Sequence, residues 1–406
     1  PVRLRLSPGH YTEPLVLPAI PGLSLTNPLV IEPTTGRLGD VTLENKQYKK
    51  VPYGDDKPGY FTLDGADYVT LHALSFLTTK SEAPALLLAS QRITIDGCSF
   101  TAPKTTQYNE GDLALIKTNR GEEAYPNNDH LTLTRSKLTG GYVGVHMDGL
   151  SNVALPNQQG LTIEGNTFSS QGSKGIYVRC VSDVVIRSNE IQAEGTASYD
   201  YHALDLTLGD GITAQANRIH LGAFTGTKTS VQAVYLRQTT ERAQQEKKAS
   251  SLINNELILT APAQIREVYG FYFSEANMTD VYLLHNSLLI SGDYAGKATA
   301  PVAVLTRGGG ALSGLVVKNN LWQNATKGLI YSFAKAVTLE GHVFASNLSY
   351  TAGSAFAELG GETLDLGSWT DRGFDTSSQV AKADFVDPAR ALLPQDFSVL
   401  RFAPAL

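Results

Sequence analysis

Residues able to do acid–base or ionic chemistry recur at matching places in a set of short alternating strands. In the first, apolar Val143, Val145 and Met147 alternate with His146 and Asp148. The pattern repeats with Ile176 and Val178 around Tyr177 and Arg179, and with Leu204 and Leu206 around Asp205 and Thr207. It returns with Val234 and Leu236 around Tyr235 and Arg237, and with Phe271 and Phe273 around Tyr272 and Ser274. Alternation sends the apolar set to one side and the polar set to the other. Stacked in register, the polar set makes two outward columns. One is His146, Tyr177, Asp205, Tyr235 and Tyr272; the other is Asp148, Arg179, Thr207, Arg237 and Ser274, with Arg307 as an extension. The tyrosines and the histidine in line would offer flat faces to sugar rings. Arg179 and Arg237, two rungs or about 10 Å apart, would match alternate carboxylates of an acidic sugar chain.

Two chemistries fit such a stripe. In β-elimination, Arg179 or Arg237 neutralises a uronate carboxylate, and Tyr235 or His146 removes the acidified proton. In hydrolysis, Asp148 and Asp205 would flank the scissile bond, but they sit in different columns about 10 Å or more apart, at or past the inverting range. Elimination fits the residue types better. A solvated sheet face, with tyrosines chosen for β-propensity, has the same appearance. Loops at 151–159, 193–202 and 238–249 would wall the stripe into a groove, and Tyr199, Asp200, Tyr201 and His202 would add aromatic and titratable groups to that wall. The stretch 241–248 has helical composition and reads as a solvated excursion.

The elements that would hold these residues are copies of one unit: a short strand, a polar break, a second apolar strand, an Asn and one more large apolar residue. One position can be followed through Leu74, Cys98, Ser136, Asn166, Asn189, Asn217, Asn255, Asn286, Asn320 and Asn347, at intervals of 23 to 38 residues. Such a unit buries its apolar face only by stacking on its neighbours. Amides stacked about 4.8 Å apart can donate to and accept from one another, and Asn tolerates the left-handed backbone of a tight turn. Two residues on, Phe168, Ile191, Ile219, Leu257, Leu288 and Trp322 should form an inward column.

The asparagine column, the opening Pro8-Gly9-His10-Tyr11-Thr12-Glu13 and the closing stretch around Trp369 and Phe385-Val386-Asp387-Pro388 resemble the pectate-lyase-like right-handed parallel β-helix proteins of bacteria. The resemblance implies an all-β, single-stranded right-handed parallel β-helix of roughly 10–13 coils with N-terminal and C-terminal caps. It would be one domain over 1–406: N-terminal coils and cap to 60, regular coils with long insertions to 350, then a C-terminal cap segment. The stretch Ser230-Val231-Gln232-Ala233-Val234-Tyr235-Leu236-Arg237 is similar to the GxQAVAL stretch of pectin methylesterases, whose Gln helps stabilise an oxyanion. That family's QDTL, DFIFG and GRPW blocks are missing, so its catalytic Asp and Arg residues have no counterpart. The calcium sites of pectate lyases and the basic catalytic context of alginate and chondroitin lyases are not matched either. The expected function is therefore binding or elimination of an acidic polysaccharide outside a bacterial cell. Its rival is a non-catalytic surface stalk or adhesin, with a tailspike as a third reading. The substrate-side residues would be His146, Asp148, Tyr177, Tyr272 and His202; the catalytic ones Arg179, Asp205, Tyr235 and Arg237.

Bulk properties bound the rest. The net charge is −6 and no basic run is long enough for a nucleic-acid footprint. No apolar run approaches the ~18 residues of a membrane span. Export would rely on a signal outside this sequence, which opens within a strand-like stretch. Cys98 and Cys180 occupy different points of the repeat and read as buried thiols. No cofactor is expected; calcium at Asp55-Asp56 or Asn127-Asn128-Asp129 is the one candidate, and the scattered histidines have no zinc spacing. A monomer is expected.

Overall fold

A computed structural model describes residues 1–13, 15–45, 61–79, 85–106, 114–118, 128–149, 157–196, 200–225, 229–238, 248–274, 278–295, 298–305, 312–333, 339, 341–388 and 391–394. Asp55-Asp56, Asn127, Tyr199, Arg307, most of the 151–159 loop and the 241–247 helical stretch lie outside the described residues. Two compact units are present, Pro1–Glu190 (with Glu241–Gln245) and Ile191–Thr240 with Glu246–Leu406.

Within each unit the chain winds as a parallel β-helix. Three short strands make a coil, and each strand pairs in parallel with the third one along. The period-two pattern dictates this: in the first unit Leu71, Ile95, Leu133, Ile163 and Ile186 are fully buried, with Thr70, Thr94, Thr132 and Thr162 between them facing out. Aromatic residues stack along the interior, as where the rings of Phe76 and Phe100 lie 4.7 Å apart and nearly coplanar in orientation, at 4°. The inward positions read from the sequence are fully buried in each unit, Phe168 in the first and Ile191, Ile219, Leu257, Leu288 and Trp322 in the second.

The asparagine corner is a ladder in each unit. In the first, Oδ1 of Asn166 accepts the Ser136 N–H at 2.8 Å and Oδ1 of Asn189 accepts the Asn166 N–H at 2.9 Å. In the second, Asn255, Asn286, Asn320 and Asn347 each accept the backbone N–H of the ladder residue one coil earlier, at 2.8–3.0 Å. One part of the expectation is corrected. The left-handed backbone belongs to the residue before each ladder position: Ala73, Gly97, Arg135, Gly165, Ser188, Ala216, Asn254, His285, Asn319 and Ser346, with φ of 51° to 65°. The asparagine does not bend the chain; it satisfies the backbone groups that the bend exposes.

The second unit's ladder ends on Asp375, whose Oδ1 accepts from Nδ2 of Asn347 at 2.9 Å and whose Oδ2 accepts from Trp369 Nε1 at 3.0 Å. Trp369, on a one-and-a-half-turn helix Leu366–Asp371 capped by Asp365, is fully buried against Tyr331, Phe344 and Phe374. This is the terminal lid expected of the closing segment. The chain then does something its repeat pattern does not announce. It turns back along the outside, and Ala383, Phe385 and Leu392 cover an outward stripe of Ile258, Leu289, Leu321 and Leu348. The Ala383 N–H reaches Gln323 and the Leu392 N–H reaches Glu256, at 2.9 and 3.0 Å. Both cysteines are buried and neither is in a disulfide, and burial pushes the Cys98 thiol up to about 12. No helix among the described residues is long and apolar enough to cross a membrane.

Candidate functional site

In the first unit, the strands Ala114–Thr118, Val143–Asp148 and Lys174–Arg179 lie side by side. Their register pairs Lys117 with His146, His146 with Tyr177, and Asp148 with Arg179. The expected neighbours are therefore adjacent, but they are covered: His146 is 5 % and Asp148 4 % exposed. The His146 and Tyr177 rings lie 4.6 Å apart, and the Lys174 ammonium sits 4.0 Å over the Tyr177 ring. Arg179 Nη1 lies 3.6 Å from Asp148 Oδ2. Burial works against the Arg179 charge, but Asp148 first, then Cys180 and Tyr177, outweigh it and move its pKa up.

In the second unit, the strands Asp200–Gly209, Ser230–Gln238 and Glu267–Ser274 pair Asp205 with Tyr235 and Tyr235 with Tyr272, with Thr207 beside Arg237. Here the simple alternation breaks. The fully buried inward residues are Tyr201, Leu204 and Leu206 in the first strand, Val231, Val234 and Leu236 in the second, Val268, Phe271 and Phe273 in the third. The spacing of three between the first and second of each set shifts the alternation in all three strands at once while they stay in register, and the residue at the shift is small: Ala203, Ala233, Gly270. A Cβ on Gly270 would lie 2.0 Å from Leu288 Cδ1 and 2.6 Å from the Pro301 carbonyl, so the close approach demands glycine there.

The shift in alternation turns His202 outward, onto the face that carries Asp205 and Tyr235. His202 Nδ1 lies 2.8 Å from Asp205 Oδ2, and Asp205 Oδ1 accepts the Thr207 hydroxyl at 2.7 Å. An ionised carboxylate only accepts, so Nδ1 carries the proton and Nε2 presents a lone pair. The imidazole stacks on Tyr235 at 4.7 Å and 2°, and Tyr235 stacks on Tyr272 at 5.5 Å and 18°. The ring faces are thus turned to one another, not to solvent. The expected flat platform for sugars is replaced by a row of edges, which present phenol hydroxyls and an imidazole nitrogen. Tyr269 and Tyr272 are backed by Ala300, Ala303 and Leu329.

The same shift adds two residues that strict alternation would turn inward. Gln232 pairs in register with His202 on one side and Tyr269 on the other. The signal that could have found them is the three-residue spacing with a small residue inside it. Burial, with help from Glu267 and the neighbouring phenols, pushes the Tyr269 phenol up, which keeps it a neutral donor. Of the catalytic candidates, Asp205, Tyr235 and Arg237 come together here with His202 and Tyr272; Arg179, with His146, Asp148 and Tyr177, belongs to the first unit. Asp148 and Asp205 are each engaged locally, by Arg179 and by His202 with Thr207. Among the described residues no three His, Cys, Asp or Glu side chains converge as a metal site. Of the calcium candidates, Asn128 Oδ1 accepts the Ser90 N–H at 2.9 Å and Asp129 Oδ1 the Gln159 N–H at 2.8 Å.

No curated protein sequence matches this chain. Among solved structures it is similar to the Dettilon tailspike protein, at 12 % identity and a TM-score of 0.43, over 86 % of this chain and 62 % of the tailspike. The chain thus spans less than two thirds of that protein's length. It is also similar to the surface protein and adhesin PfbA of Streptococcus pneumoniae, at 11 % identity and a TM-score of 0.46, over 88 % of this chain and 91 % of the adhesin. The family model described as the right-handed β-helix region matches residues 124–344, more than half of the 406. The winding of the coils, the stacked parallel strands and this match agree, and the chain belongs to the right-handed β-helix family.

Proposed function

We propose that the second unit's outward face binds an acidic polysaccharide outside a bacterial cell and cleaves it by β-elimination. The observation that carries this reading is the His202–Asp205 pair lying against Tyr235, with Arg237 two residues further along the same strand. Arg237 pairs with the uronate carboxylate and so acidifies the proton on the adjacent carbon. His202 Nε2 takes that proton, and Asp205 stabilises the imidazolium. The released electron pair forms the carbon–carbon double bond as the glycosidic C–O bond breaks. The Tyr235 hydroxyl protonates the departing oxygen, and the His202 proton returns through solvent to Tyr235. No water is consumed. In the first unit, Arg179 lies by Asp148 beside His146 and Tyr177 and is a separate candidate for a carboxylate contact.

The burial of the pair favours a second reading, a non-catalytic surface holdfast. His202 is 9 % and Asp205 3 % exposed, as structural residues are. Incubation with a panel of uronic-acid polymers, followed by ultraviolet absorbance of the unsaturated product, separates the two. Product with the native chain, reduced about a hundredfold or more in Arg237→Ala, is the expected result. Glycan binding without product leaves the holdfast. Absence of both product and binding overturns the glycan reading altogether.

A further inference from the structure

The inward column of the second unit changes character at its end. Ile219, Leu257, Leu288 and Trp322 follow one another in register, and the next residue in that register is Ser349. Ser349 is 1 % exposed and stands where the coils before it place a large apolar side chain. Room is thus released beside the indole of Trp322. Two further polar atoms are buried at this end of the core, Trp322 Nε1 and Tyr331 Oη, on side chains that are both fully covered. Neither of them, nor Ser349 Oγ, has a hydrogen-bond partner among the described residues. A buried polar atom left bare is costly, and native cores hold few of them. From these three atoms around one small side chain we infer that the last coils of the second unit bind a single internal water molecule, held by Trp322 Nε1, Tyr331 Oη and Ser349 Oγ beneath the Trp369 lid.

The donors and acceptors select that ligand. Trp322 Nε1–H can only donate, so the ligand accepts a hydrogen bond and is not a metal cation. Three donors would suit a halide, but Asp375 lies at the same end of the core, where its Oδ2 accepts from Trp369 Nε1 at 3.0 Å. Its negative charge disfavours a buried anion. A neutral molecule that both accepts and donates remains, and a serine in place of a leucine frees room for a water, whose share of liquid volume is about 30 Å³. Burial and then Asp375 hold the Tyr331 phenol well above its ordinary range, so it stays a neutral hydroxyl; Trp322 and Ser349 act on it in the opposite sense, which puts both beside it. The three groups are neighbours without bonding to one another, the arrangement that a bridging water requires. The water joins two sheets: Trp322 and Ser349 stand on the paired strands Leu321–Asn324 and Leu348–Thr351, Tyr331 on the strand Tyr331–Phe333 of another sheet. The Tyr331 ring stacks on Trp369 at 5.1 Å, so the lid closes over the site.

Diffraction from crystals of the full chain, grown with sodium bromide as the salt, tests this directly. The expected result is one density peak about 2.7–3.2 Å from each of the three atoms, with no anomalous signal. An anomalous peak there identifies a halide and overturns the inference. So do direct hydrogen bonds among the three side chains with no peak between them. Stability gives a second test, in which the sign decides. Tyr331→Phe takes a partner from the water and should lower the denaturant midpoint, as an about fivefold rise in the unfolding constant. A hydroxyl buried with nothing bound to it would be relieved by the same change, and the midpoint would rise. Ser349→Ala should act in the same direction as Tyr331→Phe, and the double variant should lose less than the two single losses together, because both hydroxyls hold one molecule. A midpoint that rises in Tyr331→Phe at unchanged slope, or losses that simply add, overturns the inference. None of these outcomes bears on glycan binding, which is read on the outward face.

Discussion

Asp205 is a covered carboxylate with both oxygens engaged, one by an imidazole and one by a hydroxyl. Its negative charge fixes which nitrogen of His202 carries the proton. Asp205→Asn keeps the shape but can donate to Nδ1, which moves the imidazole proton to Nε2 and removes the base. Product formation should fall about a hundredfold or more, while glycan affinity stays within about twofold. Parallel measurement of elimination rate and binding checks this; an equal loss of both would mean that Asp205 only holds the fold. The sequence made Asp205, Tyr235 and Arg237 legible because strict alternation holds from Leu204 and from Val234 onward. It placed His202 in a loop wall and left Gln232 and Tyr269 out of the outward columns, because the period shifts at Ala203, Ala233 and Gly270. Ring orientation was not legible either. Nothing in residue type says whether stacked tyrosines turn their faces to a ligand or to one another, as Tyr235 and Tyr272 do.

The corner of each coil joins a strained residue to a compensating one. At Ala216 the backbone has φ 53°, which an L side chain resists by about 1–2 kcal/mol. The neighbouring Asn217 is tied to Asn255 through its backbone and its amide, both at 3.0 Å. Two substitutions separate the terms. Ala216→Gly relieves the strain and should stabilise the protein by about 1 kcal/mol. Asn286→Ala deletes an acceptor for two Asn255 donors and a donor to the Leu252 carbonyl, and should destabilise it by about 3 kcal/mol. Denaturant midpoints at constant slope measure both. The ladder itself was readable from the recurrence of Asn at one place in the repeat. The division of labour was not, because the strained positions include Arg135, Ser188, His285 and Ser346, which carry no turn signature.

On the scale of the whole chain, the repeat and the closing segment announced a wound stack with a lid, and Trp369 seals the last coil as expected. The strap beyond it follows no repeat and could not be read from periodicity. It covers apolar side chains that a parallel coil would otherwise show to water. Phe385→Ala should destabilise the second unit by about 3 kcal/mol. Removal of everything after Val380 should expose Ile258, Leu289, Leu321 and Leu348 and produce self-association in light scattering. A truncated chain that stays monodisperse and equally stable would show the strap to be dispensable.

The backward course of that strap gives the molecule a mechanical character. A pull on its far end first strains the bond from Leu392 to Glu256, then the Phe385 contacts, then the bond from Ala383 to Gln323. These are attachments that yield one after another, like a seam, while the hydrogen-bonded coils beneath carry no tension. Force applied there is dissipated in peeling before it reaches the windings beneath.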